Sequence, residues 1–273
     1  MAQVRIDSSS LKIGLLLLAH FAAGLVLCRP AWTYLWPDLL SIWYAGLIYA
    51  QATLVGAWGA LGTTEPWSRT LAVLVTMAYL SLLAAVSFGG PLWLEVWPGS
   101  FVLCSLPPAV IFIALSVVKR WQGFAVLQAA ASPPNSPGPQ FTIRHLFVVT
   151  TAVAAILAAG KVVRGFGSSN EIEFFLAAAL VVFGLVLTEM AILWATLCAG
   201  RPAIRLGIVL PLTLVLGAIH AFYFDKQSDW SYVVWPGLFG FQAAISAASL
   251  LVVRSGGWRI VRRARAVEQD AVE

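Results

Sequence analysis

Eight long apolar segments dominate this chain and constrain its fold more than any other feature. A helix that crosses a bilayer needs about 20 mostly apolar residues, with a usable range of roughly 17–25. None of the segments shows the alternating polarity of a barrel strand, and a lone spanning segment must pair its own backbone polar groups. The sequence therefore predicts an all-α, polytopic transmembrane helix bundle of about eight spans. The segments are 11–28, 39–61, 70–88, 99–118, 144–160, 174–199, 206–224 and 233–253.

Composition argues against a soluble protein. The chain is 60% hydrophobic and 11% charged, whereas soluble domains are about 45–50% apolar and about 25% charged. The net charge of +5 does not indicate nucleic acid, because the basic residues lie between apolar segments and in the C-terminal tail. We therefore expect the lipid bilayer as the partner of this chain, and no nucleic acid.

The placement of Lys and Arg predicts the orientation. If the N-terminus is inside, the inner segments hold 13 of the 17 basic residues. Loops rich in Lys and Arg stay cytoplasmic, so both termini are predicted to be cytoplasmic. Tryptophan agrees, because six indoles cluster in or beside the outer connections, where an amphipathic ring suits the headgroup level. They are Trp32, Trp36, Trp93, Trp97, Trp230 and Trp235.

The two halves of the chain contain matching residues at a nearly constant spacing. A shared Val-Trp-Pro-Gly ends at Gly99 and again at Gly237, at a spacing of 138 residues. The same spacing pairs Gln51 with Glu189, and it also pairs Gly62 with Gly200. A spacing of 136 residues pairs Arg69 with Arg205. The order of these matches predicts an internal repeat of four helices, which gives both halves the same orientation.

The repeat divides the chain into four parts. The first repeat covers 1–118 and the second covers 142–254, with a Pro-rich cytoplasmic linker at 119–141 and a basic, then acidic, tail at 255–273. A secretory signal peptide is the alternative for the first apolar segment, because basic residues precede it. The repeat favours a retained span.

The start of the second half carries a resemblance. Residues 140–158 begin Gln-Phe-Thr-Ile-Arg-His-Leu-Phe and run into an apolar stretch with small residues at its centre. This segment resembles uncharacterised multi-pass membrane proteins of planctomycete-type bacteria, in which a phrase such as Gln-Phe-Ser-Leu-Arg-Thr-Leu-Leu opens a helix. Thr142 stands for the usual serine, and His145 for the usual threonine. The resemblance implies a bacterial cytoplasmic (inner) membrane protein and implies no activity.

Glu189 is the strongest candidate for a functional residue. It is the one carboxylate well inside an apolar segment, about ten residues from the inner end, so roughly 15 Å deep at about 1.5 Å per residue. An ionised carboxylate at that depth is costly, so it is protonated, paired or faces water. Both a structural hydrogen bond and a proton- or solute-handling site fit. Gln51, His20 and His220 complete a candidate intramembrane polar site.

No sequence motif indicates catalysis. The chain has no His-Glu-x-x-His, no Gly-x-Ser-x-Gly and no phosphate-cradling glycine loop. Cys28, Cys104 and Cys198 are isolated in or beside apolar segments, so they indicate neither a disulfide framework nor a metal site. We predict no catalytic residue, no metal and no cofactor.

Three functional hypotheses remain from the sequence. The first is a non-catalytic membrane component. The second is a small-solute or proton-coupled transporter with a midplane site at the repeat interface, and the third is an intramembrane enzyme. The basic tail is predicted to lie on anionic lipid at the cytoplasmic surface, at about 1 kcal/mol per basic residue. Its membrane-surface residues are Arg259, Arg262, Arg263 and Arg265.

Overall fold

The computed structural model of the chain describes residues 8–27, 39–62, 65–89, 93–122, 124–128, 170–198, 200–224 and 231–262. These ranges form seven helices and two short strands, so the helical class is confirmed for them. The predicted span at 144–160 lies outside the described residues. The elements are α1 (Ser8–Leu27), α2 (Leu39–Leu61), α3 (Pro66–Gly89), α4 (Trp93–Gln122), β1 (Phe124–Gln128), α5 (Asn170–Leu197), α6 (Pro202–Phe224), α7 (Ser231–Ser255) and β2 (Trp258–Arg262).

Four of the described helices are long and apolar enough to cross a bilayer. These candidate spans are Pro66–Ser87, Leu180–Leu197, Pro202–Phe222 and Val233–Ser255. Helices α1 and α4 each contribute a shorter apolar stretch, at Leu15–Val26 and Cys104–Val117. The described part of the chain therefore has the helices of an integral membrane protein.

Helix α6 shows how the bundle meets its surroundings. Ile204, Ile208, Leu212, Val215 and Ile219 are each about half exposed and recur every three or four residues, which places them on one face of the helix. A continuous apolar face of this kind is unfavourable in water. Lipid solvates it, so this face is where α6 contacts the bilayer.

The interior of the bundle is formed around α2, α5 and α7. Helix α2 contacts α3, α4, α5 and α7, while α7 contacts α1, α2, α5 and α6. Ile111, Ile192 and Ala243 are fully buried in the largest apolar cluster of the described residues. Several polar side chains are buried beside that cluster, in contrast to the apolar outer faces. The interior is thus more polar than the lipid-facing surface.

Two close helix crossings depend on glycine. A Cβ added to Gly56 of α2 would lie 2.6 Å from the carbonyl oxygen of Pro108 in α4. A Cβ added to Gly217 of α6 would lie 2.5 Å from the Cα of Pro236 in α7. Both clashes involve backbone atoms, which cannot move without shifting a helix. Small residues that let helices approach are a common feature of packing in membranes.

The pairing of β1 with β2 was not predicted. The strands run antiparallel, with Val126 opposite Ile260 at the centre of the register. Strand β1 lies in the predicted linker and β2 in the predicted tail, because a five-residue segment does not indicate a strand by itself. Pairing requires both segments, and they are separated by more than a hundred residues. The rest of the predicted linker, 129–141, lies outside the described residues.

Candidate functional site

Glu189 lies at the meeting point of three helices. Its carboxyl belongs to α5, and its Oε2 lies 2.9 Å from the hydroxyl of Thr53 in α2 and 2.7 Å from the hydroxyl of Ser246 in α7. Glu189 is 0% exposed, as is each of the two hydroxyl-bearing residues. Both hydroxyls can donate to the same carboxyl oxygen. The contacts therefore tie α2, α5 and α7 together in the interior of the bundle.

The Thr53 hydroxyl has a choice of acceptors. Besides Glu189, it lies 2.8 Å from the carbonyl oxygen of Tyr49 and 3.1 Å from that of Ala50. A hydroxyl has one hydrogen and two lone pairs. Thr53 can donate to an ionised Glu189, or it can donate to Tyr49 and accept from a protonated Glu189. The arrangement accommodates both protonation states by rotating one hydroxyl.

Several buried oxygen atoms near this site have no hydrogen-bond partner among the described residues. They are the Glu189 Oε1, the Oε1 of Gln242 in α7 and the hydroxyl of Thr188. Gln242 uses its amide nitrogen to donate to the carbonyl oxygen of Leu185, at 3.2 Å. A buried acceptor without a donor costs free energy. A proton on Glu189 would turn one of these acceptors into a donor.

His20 and Gln51 lie together beside α7. Gln51 of α2 donates from Nε2 to the backbone carbonyl oxygen of His20 in α1, at 3.0 Å. The Nε2 of His20 lies 2.8 Å from the hydroxyl oxygen of Ser249 in α7. That hydroxyl also lies 2.8 Å from the carbonyl oxygen of Ile245, so it can donate to Ile245 and accept from His20, or donate to His20, according to the imidazole tautomer. The structure thus brings two of the predicted polar residues together.

Helix α7 links the two groups of contacts. Gln242, Ser246 and Ser249 are separated by four and three residues, so they share one face of the helix. Ser246 meets Glu189 and Ser249 meets His20. This face carries polar contacts from α1 and α5, although no hydrogen bond joins Glu189 directly to His20 or Gln51 among the described residues.

His220 lies apart from this cluster. Its Nδ1 is 2.8 Å from the carbonyl oxygen of Leu216, and its Nε2 is 3.1 Å from that of Leu180 in α5. The ring packs against Phe239, with centroids 4.7 Å apart. Leu180 precedes Glu189 by nine residues, or about 14 Å along the helix at about 1.5 Å per residue. His220 therefore connects α5, α6 and α7 away from the carboxyl.

The basic tail is partly built into the fold. Arg259 lies in β2, and its Nη1 donates to the carbonyl oxygens of Arg254 and Trp258. Partial burial lowers the pKa of the Arg259 guanidinium from its ordinary value, but an arginine stays charged near neutral pH. The backbone of Arg262 also belongs to β2. Arg263 and Arg265 lie outside the described residues.

The chemistry available at the site is hydrogen bonding and proton exchange. Ser249 is next to His20, but it is only 4% exposed and its hydroxyl also lies within hydrogen-bond distance of the Ile245 carbonyl oxygen. It is therefore not presented to a substrate as a nucleophile. No group of three or more His, Cys, Asp or Glu side chains suited to a metal ion occurs within the described ranges.

Comparisons with protein-family models, with curated proteins and with solved structures find no match to this chain.

Sequence reasoning missed the hydroxyl partners of Glu189. Thr53 and Ser246 are small residues that also occur in membrane helices for packing alone, so their type did not single them out. Gln242 offered a better signal, because it is the one amide in its apolar segment and lies on the face of α7 that also carries Ser246.

Proposed function

We propose that this chain is a non-catalytic, multi-pass component of a bacterial inner membrane, in which a buried carboxyl joins two four-helix halves. The observation that supports this most is the contact of Glu189 with Thr53 and Ser246. Thr53 belongs to the first half and Ser246 to the second, so the carboxyl links the halves. A fully buried acceptor that is bound by two hydroxyls suits a structural tie better than a site open to a substrate.

The ends of α2 and α5 support the proposed repeat. Arg69 donates to the carbonyl oxygens of Gly59 and Gly62 at the end of α2. Arg205 approaches the end of α5 in a similar way, because a Cβ added to Gly200 would lie 2.9 Å from its Nη2. Gly62 and Gly200 are matched by the repeat, as are the two arginines.

A second basic residue caps each of these helix ends. Lys119, near the end of α4, donates to the carbonyl oxygen of Ala60 in α2. Arg254, near the end of α7, donates to the carbonyl oxygens of Thr196 and Cys198 at the end of α5. Basic groups stabilise helix C-termini because the last carbonyls there lack partners and carry partial negative charge. The correspondence of Lys119 with Arg254 extends the repeat beyond the matches that the sequence showed.

The helix contacts follow the same correspondence. If α2, α3 and α4 are matched with α5, α6 and α7, the contacts within the first half recur within the second. The contact of α2 with α7 corresponds to that of α4 with α5. Strand β1 follows α4 and strand β2 follows α7, and the two strands pair with each other with Val126 opposite Ile260 at the centre. This pattern is what two like-oriented halves related by a pseudo-two-fold axis would produce.

The basic ends of these helices support cytoplasmic termini, and cysteine labelling tests the orientation. In a variant with Cys28, Cys104 and Cys198 replaced by alanine, we expect Arg120→Cys at the end of α4 to be protected from an impermeant maleimide in intact cells. Asp229→Cys, in a predicted outer loop, is expected to react. The opposite pattern would contradict the orientation.

Proton-coupled transport is the second candidate function. It is favoured by the unpartnered Oε1 atoms of Glu189 and Gln242 and by the alternative acceptors of Thr53. These features would let the carboxyl gain and lose a proton without a change in the helix positions. They supply a site for exchange, but no described contact connects that site to water.

Proton flux distinguishes the two candidates. The purified chain is reconstituted into vesicles that contain a pH-sensitive dye, and a potassium gradient with valinomycin drives proton entry. We expect acidification at the rate of protein-free vesicles, both for the native chain and for Glu189→Gln. A faster rate in the native chain that Glu189→Gln abolishes would overturn the non-catalytic proposal in favour of transport.

A further inference from the structure

Three arginines surround the C-terminal end of α5. Arg254 donates to the carbonyl oxygens of Thr196, Cys198 and Gly200. Arg205 lies over the ring of Trp194, with its guanidinium carbon 4.7 Å from the ring centroid. Arg259 donates to the carbonyl oxygen of Arg254. We call Arg205, Arg254 and Arg259 the arginine cluster.

No carboxylate among the residues that the structure describes balances the charge of the arginine cluster. The three guanidinium groups interact through like-charge repulsion, and no ion pair with a carboxylate involves them within the described part of the chain. The C-terminal end of a helix supplies the equivalent of only about half a negative charge. Within the described part of the chain, most of the positive charge of the cluster therefore has no counter-charge and can attract an anion.

Donor groups also remain available. Arg205 donates through Nη1, to Trp194 at the long distance of 3.5 Å, and Arg259 donates through Nη1. The Nη2 groups of both residues make no hydrogen bond with the residues that the structure describes. Both side chains are partly exposed. Guanidinium groups with free N–H donors bind phosphate oxygens well, because they present donors in a planar fork.

The apolar surface next to the cluster indicates where the anion comes from. Ile208 and Leu212 follow Arg205 by three and seven residues, so they continue the same face of α6. They are 57% and 58% exposed. Pro202, Leu197 and Ser255 mark the ends of three candidate spans around the cluster. A charged patch at the end of the spans therefore leads directly into a lipid-facing apolar stripe.

We propose that Arg205, Arg254 and Arg259 bind the phosphate of an anionic phospholipid, with its acyl chains along the exposed face of α6. Charge complementarity selects the headgroup, and the apolar stripe selects a lipid over a soluble phosphate. This site is more specific than the diffuse attraction expected of a basic tail, because it uses three side chains from α6, α7 and β2. It rests on the membrane location and not on the orientation or the role of Glu189.

The first half lacks the third arginine. Arg69 and Lys119 occupy the corresponding positions at the end of α2. The proposed two-fold about the Val126–Ile260 pair, however, relates Arg259 to position 125 of β1, which is an alanine. The first half thus has two basic groups where the second half has three. We expect the second half to bind the anionic lipid more tightly.

Lipid binding to the full chain in detergent tests the proposal. Native mass spectrometry compares the retention of phosphatidylglycerol with that of phosphatidylcholine for the native chain, Arg205→Gln, Arg259→Gln and Arg120→Gln. Arg120 is exposed at the same end of the bundle, so its variant controls for the loss of one charge. We expect selective retention of phosphatidylglycerol, reduced about fivefold in Arg205→Gln and Arg259→Gln, as about 1 kcal/mol per basic residue implies.

Two outcomes would overturn the site. Equal retention of phosphatidylglycerol in Arg259→Gln and Arg120→Gln would show that the cluster does not bind it. Displacement of the lipid by millimolar inorganic phosphate would assign the cluster to a soluble anion. A thermal melt of each variant verifies that it is folded, and Arg259→Lys, which keeps the charge, is expected to recover part of the binding. Cysteine labelling and proton flux report separately on the proposed function.

Discussion

Gln51 of α2 and Glu189 of α5 occupy corresponding places in the proposed halves but use opposite hydrogen-bonding capacities. Gln51 donates to a backbone carbonyl of α1, whereas Glu189 is bound by hydroxyls from α2 and α7. Gln51 is 8% exposed and Glu189 is 0% exposed. The difference indicates that Gln51 attaches α1 to α2, while Glu189 joins α2, α5 and α7.

The largest difference is expected on truncation. Glu189→Ala removes a fully buried side chain and leaves the Ser246 hydroxyl without its acceptor, so we expect a loss of about 3 kcal/mol in unfolding free energy. Gln51→Ala breaks one bond at the edge of the interior and should cost about 1 kcal/mol. Unfolding of both variants in the same detergent measures this difference. Equal losses would contradict the distinction between the two sites.

Exchanging the two side chains sharpens the comparison. Gln51→Glu would place a carboxyl oxygen against the His20 carbonyl oxygen, and we expect a loss of about 2 kcal/mol from this unsatisfied contact. Glu189→Gln leaves one side-chain oxygen, now part of an amide, that can accept from Ser246. The loss in unfolding free energy should therefore be less than about 1 kcal/mol. Thermal unfolding of the two variants gives the ranking. The reverse ranking would mean that the carboxylate itself is required at Glu189.

The helix ends should show the smallest difference. Arg254 donates to three carbonyl oxygens at the end of α5, and Lys119 to that of Ala60 at the end of α2. We expect Arg254→Gln to cost about 1.5 kcal/mol and Lys119→Gln about 0.5 kcal/mol. The experiment is the same unfolding measurement, at low salt. A larger loss in Lys119→Gln would show that the first half depends more on its helix caps.

The helices could be predicted because the length and apolarity of a segment can be judged from that segment alone, without knowing its neighbours in the fold. The same argument placed Glu189 in the middle of a span, and Leu180–Leu197 has this residue at its centre. Such predictions need only the physics of one helix in a bilayer.

The partners of Glu189 could not be predicted, because they depend on how the helices are rotated and placed. Thr53 lies on α2 and Ser246 on α7, and no local pattern shows that both face α5. The contact of His20 with Ser249 spans 229 residues and has the same origin. Strand β1 also required a distant partner. These features belong to packing between helices, and one sequence carries little information about it.

A double-mutant cycle between Thr53 and Glu189 tests most directly whether the carboxyl joins the halves. Thr53→Val and Glu189→Ala are measured singly and together by unfolding in detergent, and we expect a coupling of about 0.6–1 kcal/mol between them. Thr213→Val is the control, because its hydroxyl donates within α6 to Leu210, and its coupling to Glu189→Ala should be close to zero. Additive losses for Thr53 and Glu189 would contradict the account.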